Sequence, residues 1–126
     1  MQQLIIIKRD STITPTEFAS QVANASMAFL TKQICTHPTV PTLSGYNIAI
    51  LLDKDTLEQW FQKDMYKFIY QVEKNKTLLI ARTTAEKLGL RENKDFFLMK
   101  NSQGKITCIS FKPLNDEIVT QILSTI

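Results

Sequence analysis

The chain has 126 residues, 44% of them hydrophobic and 21% charged, with a formal net charge of +3. This is an ordinary globular composition, sized for a single α/β domain over residues 1–126 whose core needs no covalent staples. It excludes a membrane-spanning helix, because no apolar run approaches ~20 residues. It also excludes a multi-histidine metal centre, because His37 is the sole histidine.

The two cysteines, Cys35 and Cys108, fit no metal-ligand spacing and are expected as reduced, buried thiols. The short apolar run after Met1-Gln2-Gln3 cannot serve as an export signal, since basic residues follow it rather than precede it. A cytoplasmic location is the expectation.

Leu4 to Lys8 reads as a central strand, apolar on both faces and therefore covered on both. The turn Arg9-Asp10-Ser11-Thr12-Ile13 leads to a marked helix start. Thr14 stands at the N-cap, Pro15 at the first helical position, and Glu17 completes a capping box. The helix runs to about Ile34. Phe18, Val22, Ala25 and Phe29 recur at helical spacing and are expected to face the sheet. Ala19, Ala23 and Ser26 form a second strip suited to close packing. Thr36 to Ser44, with Pro38 and Pro41, reads as an irregular connection.

Asn47 to Leu52 reads as a second strand, and Asp53 as the cap of a helix from about Lys54 to Val72. The stripe Leu57, Phe61, Met65, Phe68 and Val72 carries that helix. Trp60, Tyr66 and Tyr70 lie off the stripe, either at the core margin or as a partner surface. Thr77 to Ala81 reads as a third short strand, and Thr83 to Gly89 as a helical turn ended by glycine. Asp95–Lys100 and Lys105–Lys112 form an antiparallel hairpin turned by Asn101-Ser102-Gln103-Gly104. Pro113 ends it, and a last apolar-faced helix starts near Asn115. The fold class is α/β, a mixed four- to five-stranded sheet with helices on both faces.

Charge is unevenly spread. Residues 1–72 hold six basic and six acidic side chains, whereas residues 73–112 hold nine basic and four acidic. That stretch is either a site of attraction for phosphates or a solvated surface. Glycine is scarce, and the first strand-to-helix turn has none, so neither a dinucleotide fingerprint nor a P-loop is present. No cofactor and no metal are expected. Ligands of open α/β sheets bind beyond the carboxyl ends of the strands. Here that edge comprises Lys8, Arg9 and the helix start at Thr14. Glu17, Gln21 and Asn24, spaced by four and three, share one helical face near it. That polar stripe either bonds neighbouring loops or faces a ligand.

The strand Leu-Ile-Ile-Ile-Lys-Arg-Asp, followed by a helix bearing Ala19-Ser20-Gln21-Val22-Ala23-Asn24-Ala25-Ser26, resembles the type 2 peptidyl-tRNA hydrolase superfamily. The closing Ile109-Ser110-Phe111-Lys112-Pro113 and its amphipathic helix are similar too. The resemblance implies a three-layer sandwich. The extra strand at Thr77–Ala81 makes the chain look nearer to that superfamily's uncharacterised bacterial branch. The resemblance also implies a lysine four residues before the glutamine and a histidine three after it, but Glu17 and Asn24 stand there. The family's Asp-Ala-Gly-x-Thr-Gln turn finds only Lys100 to Lys105.

The expected protein is therefore a superfamily member without the hydrolytic residues. It would bind a small polar or anionic ligand through Lys8, Arg9, Thr14, Glu17, Gln21, Asn24 and Asn101. A second reading is a working hydrolase that grips tRNA with residues 73–112. A third is a homodimeric module using Trp60, Tyr66 and Tyr70, with no membrane partner in any of the three.

Overall fold

The computed structural model describes residues 1–126. Strand β1 (Gln3–Lys8) lies in the interior of a four-stranded sheet of order β4-β1-β6-β5. It pairs in parallel with β4 (Lys67–Val72) and antiparallel with β6 (Ile106–Phe111), which pairs antiparallel with β5 (Phe96–Lys100). The sheet is mixed and covered on both faces.

The period-two pleat explains why β1 must be apolar throughout. Leu4 and Ile6 face one side, with Leu78, Ala81 and Ala85 of helix α2 (Asn75–Lys87) and Val119 and Ile122 of α3 (Asp116–Leu123). Ile5 and Ile7 face the other side, with Ala25 of α1 (Pro15–Thr36) and Cys108. All four of these β1 residues are essentially sealed from water, each contributing about 1.5–3 kcal/mol. Gln3 is also buried. Its Nε2 donates to the Ser26 carbonyl at 2.8 Å and the Phe111 carbonyl at 3.0 Å, tying α1 to the sheet.

The start of α1 is capped by Thr14 as its sequence predicts, but the Glu17 side chain returns no bond to the Thr14 amide, so the capping box is not completed. The Thr14 hydroxyl accepts from the Glu17 amide at 3.1 Å. Phe18, Val22, Ala25 and Phe29 face the sheet, but Ala19 and Ala23 are exposed, so of the second small-residue strip only Ser26 is partly buried. The β5–β6 hairpin and α3 also form where expected, with the Asn115 side chain accepting from the Ile118 amide at 3.0 Å.

The middle of the chain departs from its sequence reading. Residues 36–52 contribute no strand to the sheet. They fold as a separate hairpin of β2 (Thr39–Pro41) and β3 (Tyr46–Ile48). No helix spans 54–72. A single π-helical turn, Thr56–Phe61, is followed by β4, with Met65 at a φ of 50° where the chain reverses. Phe68 and Val72 are four apart, a spacing that shares a face in a strand as well as in a helix. Pairing with β1 selects the strand.

Thr77–Ala81 belongs to α2, because Leu78, Ala81 and Ala85 keep a helical period against the sheet. The helix ends at Lys87, and Gly89, at a φ of 85°, lets the Leu90 amide return to the Ala85 carbonyl at 3.0 Å. With no strand at 77–81, the feature that favoured a bacterial branch is gone.

Three further expectations hold only in part. Asp53 precedes the helical residues 54–61 and its carbonyl accepts from the Leu57 amide at 3.1 Å, but its carboxylate caps no amide and pairs with Lys112 at 3.2 Å. Trp60 is buried among Ala28, Phe29 and Phe97, so it cannot join Tyr66 and Tyr70 in a surface patch. Cys35 is exposed, while Cys108 is buried. A chromogenic aryl disulfide should therefore label one thiol in the native protein and two in denaturant. Two fast-reacting native thiols would contradict the burial of Cys108.

Candidate functional site

The carboxyl end of β1, the face of α1, the start of α2 and the β5–β6 turn enclose a cavity of about 590 Å³. Strand order explains the gathering. β6 lies beside β1 on one flank and β4 on the other, so residues far apart in sequence meet at one sheet edge.

Lys8 and Arg9 enter as β1 ends. The Arg9 amide donates to the Val72 carbonyl at 2.8 Å, and its guanidinium pairs with Glu73 at 3.2 Å in an exposed ion pair. Asp10 builds the loop by accepting from the Thr12 hydroxyl at 2.6 Å and the Thr12 amide at 2.9 Å. Those bonds, the hydroxyl's first, hold its carboxyl below the ordinary carboxylate range. Gln21 and Asn24 reach the cavity from α1, where both are exposed, and neither amide is taken up by a hydrogen bond within the chain. Asn101 uses its Oδ1 to accept from the Gln103 amide at 2.9 Å and the Lys105 amide at 3.0 Å, shaping the turn and leaving Nδ2 uncommitted.

Five of the seven residues singled out in the sequence thus line one cavity: Lys8, Arg9, Gln21, Asn24 and Asn101. Thr14 and Glu17 do not. Thr14 spends its hydroxyl on the cap, and Glu17 is exposed one turn away.

The sequence reading missed Lys100 and Lys105, which add two cations. It also missed Asn75, whose Nδ2 donates to the Ile106 carbonyl at 3.3 Å. Cys108 contributes to the wall as well, but burial pushes its thiol up to about 12, so it stays protonated at neutral pH. The lining therefore carries four cations against one carboxylate, Asp10. Only two of the nine basic residues in 73–112 belong to it.

Two others of that group are tied up elsewhere. Arg82 pairs with Glu86 and Glu92, each at 3.2 Å. Lys112 pairs with Asp95 at 2.8 Å and with Asp53 at 3.2 Å. Burial works against the Lys112 charge, but its hydrogen bonds to Asp95 and Asp53 outweigh this and raise its pKa. Asp95, an aspartate on the closing hairpin, stands at the start of β5 and also accepts from the Arg91 amide at 2.8 Å.

His37 is outside the cavity. It follows α1, with Nδ1 2.8 Å from the Gln33 carbonyl, and lines a smaller hollow of about 270 Å³ beside Phe29 and Phe97. No three His, Cys, Asp or Glu side chains converge as a metal-ligand set. No helix is long and apolar enough to cross a membrane.

Over residues 1–126 the chain matches the family model described as peptidyl-tRNA hydrolase PTH2. A protein from Thermococcus sibiricus named peptidyl-tRNA hydrolase is 24% identical to it over 123 residues, which cover 96% of this chain and 91% of that protein.

Proposed function

The chain belongs to the peptidyl-tRNA hydrolase PTH2 family, and from that premise we propose that it binds a tRNA-related, phosphate-bearing ligand in the basic cavity, without efficient hydrolysis. The lining carries the reading: four cations, one carboxylate and the free amides of Gln21 and Asn24. Lys8 and Arg9 hold phosphate, Lys100 and Lys105 extend the positive surface, and Gln21, Asn24 and Asn101 hydrogen-bond the polar groups between phosphates.

Cleavage of a peptidyl ester needs a group that activates water and donors for the developing oxyanion. Asn24 and Gln21 are donors but do not titrate. Asp10, held below the ordinary carboxylate range, is a weak base. Glu17, where the family resemblance implies a lysine, stands off the cavity.

Titration with tRNA at increasing salt tests the binding. The logarithm of affinity should fall linearly with the logarithm of salt, by about 0.7–0.9 per phosphate neutralised. Lys8→Glu with Lys105→Glu should flatten that slope. Absence of salt-dependent binding would overturn the binding. The whole-chain family match favours a rival, a working hydrolase. Peptidyl-tRNA turnover by the wild type, lost in Gln21→Ala, would establish the rival and overturn the loss of catalysis.

A further inference from the structure

Residues 73–112 hold four carboxylates: Glu73, Glu86, Glu92 and Asp95. Three of them meet cations outside the basic cavity, Glu86 and Glu92 on Arg82 and Asp95 on Lys112. Glu73 alone meets a cation of the cavity lining, with its Oε1 3.2 Å from Nη1 of Arg9. Glu73 itself is not part of that lining. Of the four lining cations only Arg9 is in an ion pair, and Lys8, Lys100 and Lys105 are in none.

The register of the sheet puts the pair there. β1 and β4 run parallel with Lys8 beside Val72, so Arg9 and Glu73 are the next residues out at the same sheet edge. The backbone already joins the strand ends, because the Arg9 amide donates to the Val72 carbonyl at 2.8 Å. The two side chains are 66% and 73% exposed, and an ion pair so open to water contributes little to stability. Its effect falls instead on what approaches Arg9. The carboxylate occupies one nitrogen of the guanidinium fork, whereas a phosphate can take two of its donors at once. Asp10, the carboxylate within the lining, is engaged by Thr12 and by no cation.

We propose that Glu73 is an internal competitor for Arg9, which a phosphate-bearing ligand must displace to gain the fourth cation of the cavity. The inference rests on the phosphate-binding reading of this cavity and adds its regulation. A ligand with a single carboxylate meets an Arg9 that is already neutralised, and it gains nothing by the exchange. A ligand with several phosphates holds Lys8, Lys100 and Lys105 as well, and so displaces Glu73. The contact therefore tilts the site towards polyanions. It also weakens every phosphate ligand through the repulsion that Glu73 exerts. Both partners are exposed, so added salt screens that repulsion.

Titration with deacylated bulk tRNA at low salt tests this. Glu73→Gln should bind roughly three- to tenfold more tightly than the wild type, with the gain shrinking as salt rises. In an Arg9→Gln background the same change should gain less than about twofold, since Arg9 is the group it releases. Glu117→Gln removes an equal charge from the first turn of α3 and should leave affinity nearly unchanged. Wild-type binding that Glu73→Gln leaves unchanged or weakens would overturn the competitor but not the phosphate site. An equal gain from Glu117→Gln, or an undiminished gain without Arg9, would assign the effect to net charge and overturn the competitor too. Absence of binding in both the wild type and Glu73→Gln overturns the site and the competitor together.

Discussion

Trp60→Ala should lower the free energy of unfolding by about 3–5 kcal/mol, with a fall in Tm on the order of 10–20 °C. The indole is 3% exposed. It meets Phe29 edge-on at a centroid distance of 6.1 Å and Phe61 at 4.8 Å. Its Nε1 donates to the Tyr66 carbonyl at 3.0 Å, and the Lys67 ammonium sits 4.8 Å from its ring centroid. Truncation would therefore open a cavity between α1 and β5 and also remove one of the two hydrogen bonds to the Tyr66 carbonyl, leaving that from the Gln3 amide at 2.9 Å. Trp60→Phe keeps most of the volume and should cost less than half as much. Urea unfolding followed by circular dichroism measures both variants. A cost below about 1 kcal/mol for the alanine variant would mean that Trp60 lies at the core margin after all.

Stability should fall steeply in alkali, beginning near pH 9, and Cys108 should account for the first part of the loss. Its thiol is neutral when protonated, and burial raises its pKa from an ordinary 9.0 to about 12. Between those values the folded chain retains a proton that the unfolded chain releases. The folded state is then the more protonated one, and stability declines as pH rises, by about 1.4 kcal/mol per pH unit. Near pH 12 the loss is on the order of 4 kcal/mol.

Lys112 acts in the same direction at higher pH. Its pKa is raised, so its contribution is complete below the ordinary lysine value and disappears as pH climbs through the folded value. The interval from about pH 9 to 10 thus isolates Cys108, since an unperturbed lysine titrates near ~10.4. Unfolding of the wild type and Cys108→Ala at several pH values in that interval should show the slope in the first and its loss in the second. Equal slopes would refute the assignment.

The elements with local signals are legible in the chain alone. β1 is apolar on both faces because a covered strand must be. α1 begins where the Thr14 hydroxyl accepts from a free amide and Pro15 has no N–H to leave unpaired, and the Asn101–Gly104 turn and the Asn115 cap bound the closing hairpin and α3. The same locality made Lys8, Arg9, Gln21 and Asn24 legible as a group, since a strand end and the next helix face are neighbours in the chain as well as in space.

Residues 46–81 were not legible in this way. A spacing of four between apolar residues shares a face in a strand and in a helix, so the pattern over Phe68 and Val72 does not choose. The choice for 67–72 comes from parallel hydrogen bonding to β1, more than sixty residues earlier. The run Thr77–Ala81 is too short for its apolar content to separate strand from helix, and packing of Leu78, Ala81 and Ala85 on the sheet decides it.

The remaining cavity lining has the same origin. Asn75, Lys105 and Cys108 carry no motif, and only the order β4-β1-β6-β5 brings them to the end of β1. Caps, turns and continuous apolar runs act over a few residues and can be read from them. Strand order and burial are set by the hydrogen bonds and apolar contacts that distant segments make with one another, so they emerge only once the chain has folded.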